Sequence, residues 1–298
     1  GNVILRQKGQ IITADKIIYT DNQGMDGVSY IASGNVIIQD SSITSNSGKA
    51  TYNRLSEQTL LEMNPSIEDQ DRVLTGDKIE LTYFEQEIKK IYIPNNANAI
   101  TTISGYSFQK KDSLKTEEKL SFKNKMQGSQ LTSIFKNSVL DSIKINGMAK
   151  TLYHVFEDSI YKGNNNVSGD LITIKFLKNR LKRLQVIGGS KGKYIPDSLS
   201  NEISSSVNYS SDEIVYIFEK RRTEFYGNAI INHDKTTLEA GYIDINWNTN
   251  LLNAYIKSEG DTINEPIRPI IKEKNKDPMS GDEMTYNLKL KKVKYPKG

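Results

Sequence analysis

The chain contains no cysteine. Disulfides, thiol nucleophiles and cysteine-ligated metals are therefore excluded, while the redox compartment stays undecided between periplasm and cytosol. Histidine is nearly absent too: His154 and His233 lie far apart with no ligand spacing, so no metal site and no cofactor are expected. Charge of one sign is lacking, since 40 Lys+Arg against 36 Asp+Glu leave a formal +4, too weak a surplus to argue for nucleic acid. No apolar run approaches the ~18 residues of a spanning helix. Apolar residues make up 36% of 298, a lean content that still supports a core. The first residues already alternate like a strand and the last ones carry no terminal cap, so we expect a fragment of something longer.

Helical periodicity is scarce and period-2 alternation common, as in Leu171-Ile172-Thr173-Ile174-Lys175-Phe176, which reads as all-β. The best helix candidate, Leu177 to Val186, also suits a strand after an Asn179-Arg180 turn. One pattern recurs: apolar at position 0, small at +2, apolar or aromatic at +5, +7 and often +9. It runs Ile12, Ala14, Ile17, Tyr19; then Leu74, Gly76, Ile79, Leu81, Tyr83; then Val167, Gly169, Ile172, Ile174, Phe176. Further copies are Tyr209, Ser211, Ile214, Tyr216, Phe218, then Leu238, Ala240, Ile243, Ile245, Trp247, and Met279, Gly281, Met284, Tyr286, Leu288. A looser copy is Ile43, Ser45, Gly48, Ala50, Tyr52.

In a regular strand, +5 and +7 would face away from 0 and +2. One extra residue between them restores a common face, so each copy reads as a long strand bulged and bent at a corner. Gly-Asn pairs at Gly1-Asn2, Gly34-Asn35 and Gly227-Asn228 read as short turns between antiparallel neighbours. The expected fold is an elongated open β-jellyroll of two stacked antiparallel sheets. It divides into repeats over 1–102, a less regular segment or kink over 103–166, and repeats over 167–298. Loops are expected at Lys110-Lys111-Asp112 and Gly163-Asn164-Asn165-Asn166. The first strand, with Val3, Ile4 and Leu5, is a candidate free edge for strand pairing.

The runs Gly34 to Ile38, Ile43 to Asn53, Leu74 to Ile79, Gly227 to Trp247 and, above all, Ser280-Gly281-Asp282-Glu283-Met284-Thr285-Tyr286-Asn287-Leu288-Lys289 resemble the OstA-like (LptA–LptD) family of lipopolysaccharide-transport proteins. The resemblance implies a β-taco with an apolar groove that shields the acyl chains of lipid A. It further implies edge-strand pairing with other bridge modules, a periplasmic location at the outer membrane of a Gram-negative cell, and an outer-membrane barrel in cis beyond the C-terminus. Candidate groove residues are Ile12, Ala14, Ile17, Leu74, Ile79, Leu81, Ile172, Ile174, Leu238, Ala240, Ile243 and Ile245. They would equally fill a closed sandwich core. A structural or adhesive β-solenoid that binds only protein is the alternative.

Enzyme signals are weak, and no enzyme is expected. Gly188-Gly189-Ser190-Lys191-Gly192 fits a nucleophile elbow, but that motif needs a strand-to-helix turn. Asp77, Asp170, Asp212 and Asp282 recur one per repeat, which favours corner and turn hydrogen bonding over the clustered carboxylates of a polysaccharide lyase. The basic run Lys289, Lys291, Lys292, Lys294 and Lys297 reads as a solvated strand face, or one near anionic lipid.

Overall fold

A computed structural model describes residues 3–7, 9–20, 28–40, 43–69, 71–111, 114–178, 180–256 and 267–294. Among them are 24 strands and no helix, and no helix is long and apolar enough to cross a membrane. The chain forms two compact units. The first comprises residues 1–103, 123–149 and 175–180; the second comprises 104–122, 150–174 and 181–298.

In the first unit two antiparallel arms share their strands. One arm runs from Val3–Gln7 to Gln10–Ala14, then through residues 36–39, 44–46, Ser66–Glu68 and Arg72–Thr75 to residues 98–101. The other runs from Lys16–Tyr19 through residues 28–33, 49–53, Gln58–Glu62, Lys78–Phe84 and Glu87–Ile93 to Gln130–Lys136. Val28–Gln39 and Thr44–Asn53 each pass from one arm to the other. Ile12, Ile38 and Ile67 of the first arm and Leu61, Ile79 and Leu81 of the second are buried.

The second unit repeats the arrangement. One arm holds residues 190–194, 207–210, 229–233 and 236–240, with Ile270–Glu273. The other holds residues 183–187, 213–217, 222–226 and 242–246, then Leu251–Tyr255, Glu283–Asn287 and Lys292–Lys294. Apart from one parallel bridge, Tyr106 to Ile160, the registered pairings are antiparallel.

The corner works through two kinds of strand. In the repeat strands three residues cross it and the buried parity flips: Tyr209 and Ser211 are buried before it, Ile214 and Tyr216 after it. Ala240 and Ile243 do the same. In their neighbours four residues cross it and parity is kept, as with Tyr30, Ala32, Val36 and Ile38, or Phe225, Ala229 and Ile231. The register shifts fall between Ser33 and Val36 and between Tyr226 and Ala229. The extra residue is thus borne by the Gly-Asn strand, whereas the sequence pattern places it in the repeat strand.

This corrects the reading of Gly-Asn as an inter-strand turn. Gly34-Asn35 and Gly227-Asn228 lie inside the strands Val28–Gln39 and Arg222–His233; Gly1-Asn2 lies outside the described residues. Both members of each pair are left-handed, Gly34 at φ 76° with Asn35 at 47°, and Gly227 at 69° with Asn228 at 45°. The small and amide residues that tolerate this conformation are glycine and asparagine.

The expected loop at Gly163–Asn166 is likewise strand, within Ile160–Leu177. Three asparagines in a row look like loop by composition, but alternation turns Asn165 inward, where it is buried and hydrogen-bonded to Tyr153 and Tyr209. Lys110 and Lys111 end the strand Ala97–Lys111, and Asp112 lies outside the described residues. Leu177 ends one strand and Arg180–Pro196 is the next; Asn179 is outside the described residues. Among the described residues of this stretch there is no helix.

Candidate functional site

Ten of the twelve candidate groove residues are buried, and Ile17 and Leu74 are half-buried. They occupy the interior near the corners, where the arms converge and side chains close-pack. In the second unit a cavity of about 680 Å³ opens nearer the free ends of the arms. None of the twelve lines it.

Its wall is built from inward positions of several strands. Tyr153 comes from Val139–Glu157, Asn165 from Ile160–Leu177, Tyr194 from Arg180–Pro196 and Tyr216 from Val207–Ile217. Phe218 and Trp247 close it at the turns after the repeat strands Val207–Ile217 and Thr236–Asn246. Tyr216, Phe218 and Trp247 are the +7 and +9 members of the repeat pattern, so a signal for this wall was present in the sequence. Ring contacts tie the wall together: Tyr153 to Tyr216 and to Phe218, each 6.0 Å between centroids, and Tyr194 to Trp247 at 5.4 Å. The Trp247 indole donates to the Thr223 hydroxyl at 2.8 Å.

Behind the rings lies a closed polar network. The Asn165 amide donates to the Tyr153 hydroxyl at 2.8 Å, the Tyr209 hydroxyl donates to the Asn165 carbonyl oxygen, and the Tyr209 and Tyr216 hydroxyls are 2.7 Å apart. Burial pushes the phenols of Tyr153, Tyr209 and Tyr216 well above the ordinary tyrosine range. They stay protonated at neutral pH and supply hydrogen bonds, not proton transfer.

At the rim, Glu157 pairs with Arg221 and, at 3.7 Å, with Lys162. The hydrogen bond from Arg221 holds the Glu157 carboxyl below the usual range. The first unit has a related end: Tyr30 stacks on Tyr52 at 5.5 Å, and burial pushes the Tyr83 phenol up to about 12.

The other signals fall where structural roles place them. Ser190 is buried inside the strand Arg180–Pro196, and its hydroxyl donates to the Asp212 carbonyl at 3.2 Å. The His233 ring lies 3.0 Å from the Tyr286 hydroxyl, and His154 packs against Phe122 and Tyr161. Among the described residues no group of His, Asp and Glu could hold a metal. Asp77 accepts from the Asn96 amide at 2.8 Å and Asp212 from Asn228 at 3.0 Å. Asp170 lies against Gly188, and Asp282 pairs with Arg268 at 3.3 Å. These acids are spread along the repeats, one to each corner or turn.

Of the basic run, Lys289 pairs with Glu202 and Lys291 with Asp234. Lys292 and Lys294 are exposed, and Lys297 is outside the described residues. Among the described residues Val3–Gln7 pairs only with Gln10–Ala14. Val3 and Ile4 are 42% and 57% exposed, and Leu5 is half-buried.

Two bent antiparallel arms enclosing an apolar interior define an all-β class. Residues 1–87 match the family described as LptA/(LptD N-terminal domain) LPS transport protein. That match, which spans under a third of the chain, is to the family the sequence resembles. Among solved structures, the chain is similar to LptH of Pseudomonas aeruginosa, the LptA homologous periplasmic component of the lipopolysaccharide transport device. Identity is 16%, TM-score 0.36, with 44% of this chain and 83% of that chain covered. No curated protein matches.

Proposed function

We propose that this chain carries lipopolysaccharide through the periplasm toward the outer membrane, holding lipid A acyl chains between the arms while the glycan stays in water. The family match of residues 1–87 carries the reading. The aromatic-walled cavity of the second unit supports it. Each CH₂ withdrawn from water is worth about 0.8 kcal/mol, so an apolar interior lets a chain move along it without a large barrier. Tyr153, Tyr216, Phe218 and Trp247 face the guest; of the twelve repeat residues the half-buried Ile17 and Leu74 are the most accessible to it, and the other ten pack the closed side of the interior. The edge at Val3, Ile4 and Leu5 joins another bridge module by strand pairing.

The test is photocrosslinking in cells. A benzophenone side chain at Ile17 or at Phe218 is expected to form an adduct with lipopolysaccharide, and one at Leu55, 74% exposed in a turn, is expected to form none. Folded protein giving no adduct at either inner position, or equal labelling at Leu55, would overturn the reading in favour of a scaffold that binds only protein.

A further inference from the structure

One connection in the second unit is out of scale. The strands Arg180–Pro196 and Val207–Ile217 are joined by ten residues, 197–206. The hairpins that follow use four, two and four. A longer hairpin loop carries no benefit of its own, and this one does not hang free.

Its near end is fastened to the arm it leaves. The Asp197 amide donates to the Lys162 carbonyl at 2.9 Å, and the Asn201 amide group donates to the same carbonyl at 2.7 Å and to the Tyr194 hydroxyl. The Asp197 carboxylate accepts from the Ser200 amide at 2.9 Å. The far end is fastened to turns of the opposite arm. Glu202 pairs with Lys289 at 2.9 Å and accepts from Asn250 at 3.2 Å, and Ser205 accepts from Lys291 at 3.0 Å. Between these anchors Ile203, only 1% exposed, points into the cavity wall.

The two attachments differ in kind. The near one consists of part-buried hydrogen bonds to backbone and phenol. The far one consists largely of exposed polar contacts, Glu202 and Lys289 being 60% and 48% exposed, and such pairs are weak. A segment firmly held on one side and lightly latched on the other has a hinge and a release.

We propose that residues 197–206 are a releasable strap over an acyl-chain site in the second unit, with Ile203 seated where a lipid chain enters and the Glu202–Lys289 contact as its latch. The proposal rests on the lipid-carrying reading and adds a closed state to it. The occupant is the acyl end of an amphiphile: the cavity beneath the strap, about 680 Å³ in volume, has one side formed by Tyr153, Tyr216, Phe218 and Trp247 and an equally extensive polar side that includes Asp158, Arg222 and Asn248, and its size is within the range of ligand sites. Its rim, where Arg221 and Lys162 meet Glu157, suits the polar end of an amphiphile.

The chain is well suited to the test, having no cysteine and a single tryptophan, Trp247, which lines the cavity. A long-chain fatty acid carrying a doxyl group is expected to quench Trp247 saturably. In the Glu202→Cys/Lys289→Cys variant, a short reducible bis-thiosulfonate linker is expected to slow that quenching by roughly tenfold or more, and reductant should restore it. Lys289→Ala, an exposed change that leaves the fold intact, should speed it. Equal rates in linked and released protein overturn the strap. Absence of saturable quenching in the wild type and in Lys289→Ala overturns the acyl site beneath it. Failure of the transport reading shows separately, as loss of lipopolysaccharide adducts at both Ile17 and Phe218 while fatty-acid quenching persists.

Discussion

The corner geometry makes a quantitative claim at Gly227. Its φ is +69°, and a Cβ built there would lie 2.2 Å from Oδ2 and 2.9 Å from Cγ of Asp212. Gly227→Ala should therefore incur two costs. The left-handed backbone alone costs an L-residue about 1–2 kcal/mol. The overlap forces Asp212 outward and breaks its hydrogen bond from Asn228, adding about 1 kcal/mol at this exposed site. We expect a loss of about 2–3 kcal/mol in all. Gly189→Ala is the control within the same unit: φ is +53° with nothing within 4 Å, so only the backbone cost applies. Asp212→Ala alone should cost about 0.5–1 kcal/mol. The double variant Gly227→Ala/Asp212→Ala should fall short of the summed losses by about 1 kcal/mol, because the overlap is gone and the hydrogen bond is lost only once. Urea titration followed by Trp247 fluorescence reads all four proteins. If Gly227→Ala costs no more than Gly189→Ala, or the pair adds to within about 0.4 kcal/mol, the Asp–Gly corner is not a coupled unit and the argument fails.

Ile245→Asp places a carboxylate at a site with 0% exposure and is expected to unfold the second unit, at a cost of several kcal/mol; Phe218→Asp, at the half-buried cavity wall, should keep the fold, and circular dichroism separates the two. Burial, aided by the Lys291 charge and opposed by Asp234, holds the His233 pKa below its ordinary value. The unfolded chain then binds the proton first as pH drops through about 6.5, so stability should fall from about pH 7.5 to about pH 5.5 and His233→Phe should flatten that slope in urea midpoints. Ile4→Pro removes a backbone donor from the first strand and is expected to abolish head-to-tail association in light scattering while Trp247 reports an unchanged second unit; persistent association would place the joint elsewhere.

Much of the fold is legible because in most of the longer strands one face is buried and the other is not. The parity jump from Ala14 to Ile17, or from Ala240 to Ile243, cannot be accommodated by a straight strand, so the bend is written in spacing alone. Spacing does not say which of two neighbours carries the extra residue. That depends on which strand tolerates left-handed backbone, and Gly34-Asn35 and Gly227-Asn228 supply it. Composition misled at Gly163–Asn166, where a loop-like run is a strand whose Asn165 is satisfied by the half-buried Tyr153 and the buried Tyr209.

The candidate site was less legible for a related reason. Alternation reports which face a side chain is on, not how far it lies from the corner. Ile243 and Ile245 are inward and so is Trp247, yet the first two are fully buried while the third borders a cavity. Arms that diverge from a shared bend leave room only toward their free ends, so the positions most useful to a guest are the last apolar ones of each repeat. The strap follows the same logic from the opposite side. Residues 197–206 open with Asp197, Ser198, Ser200 and Asn201 and read as a plain turn. Leu199 and Ile203 are the two residues there that a solvated loop has no use for; Leu199 is half-buried, and the full burial of Ile203 is intelligible once the far ends of both arms are seen to need a cover.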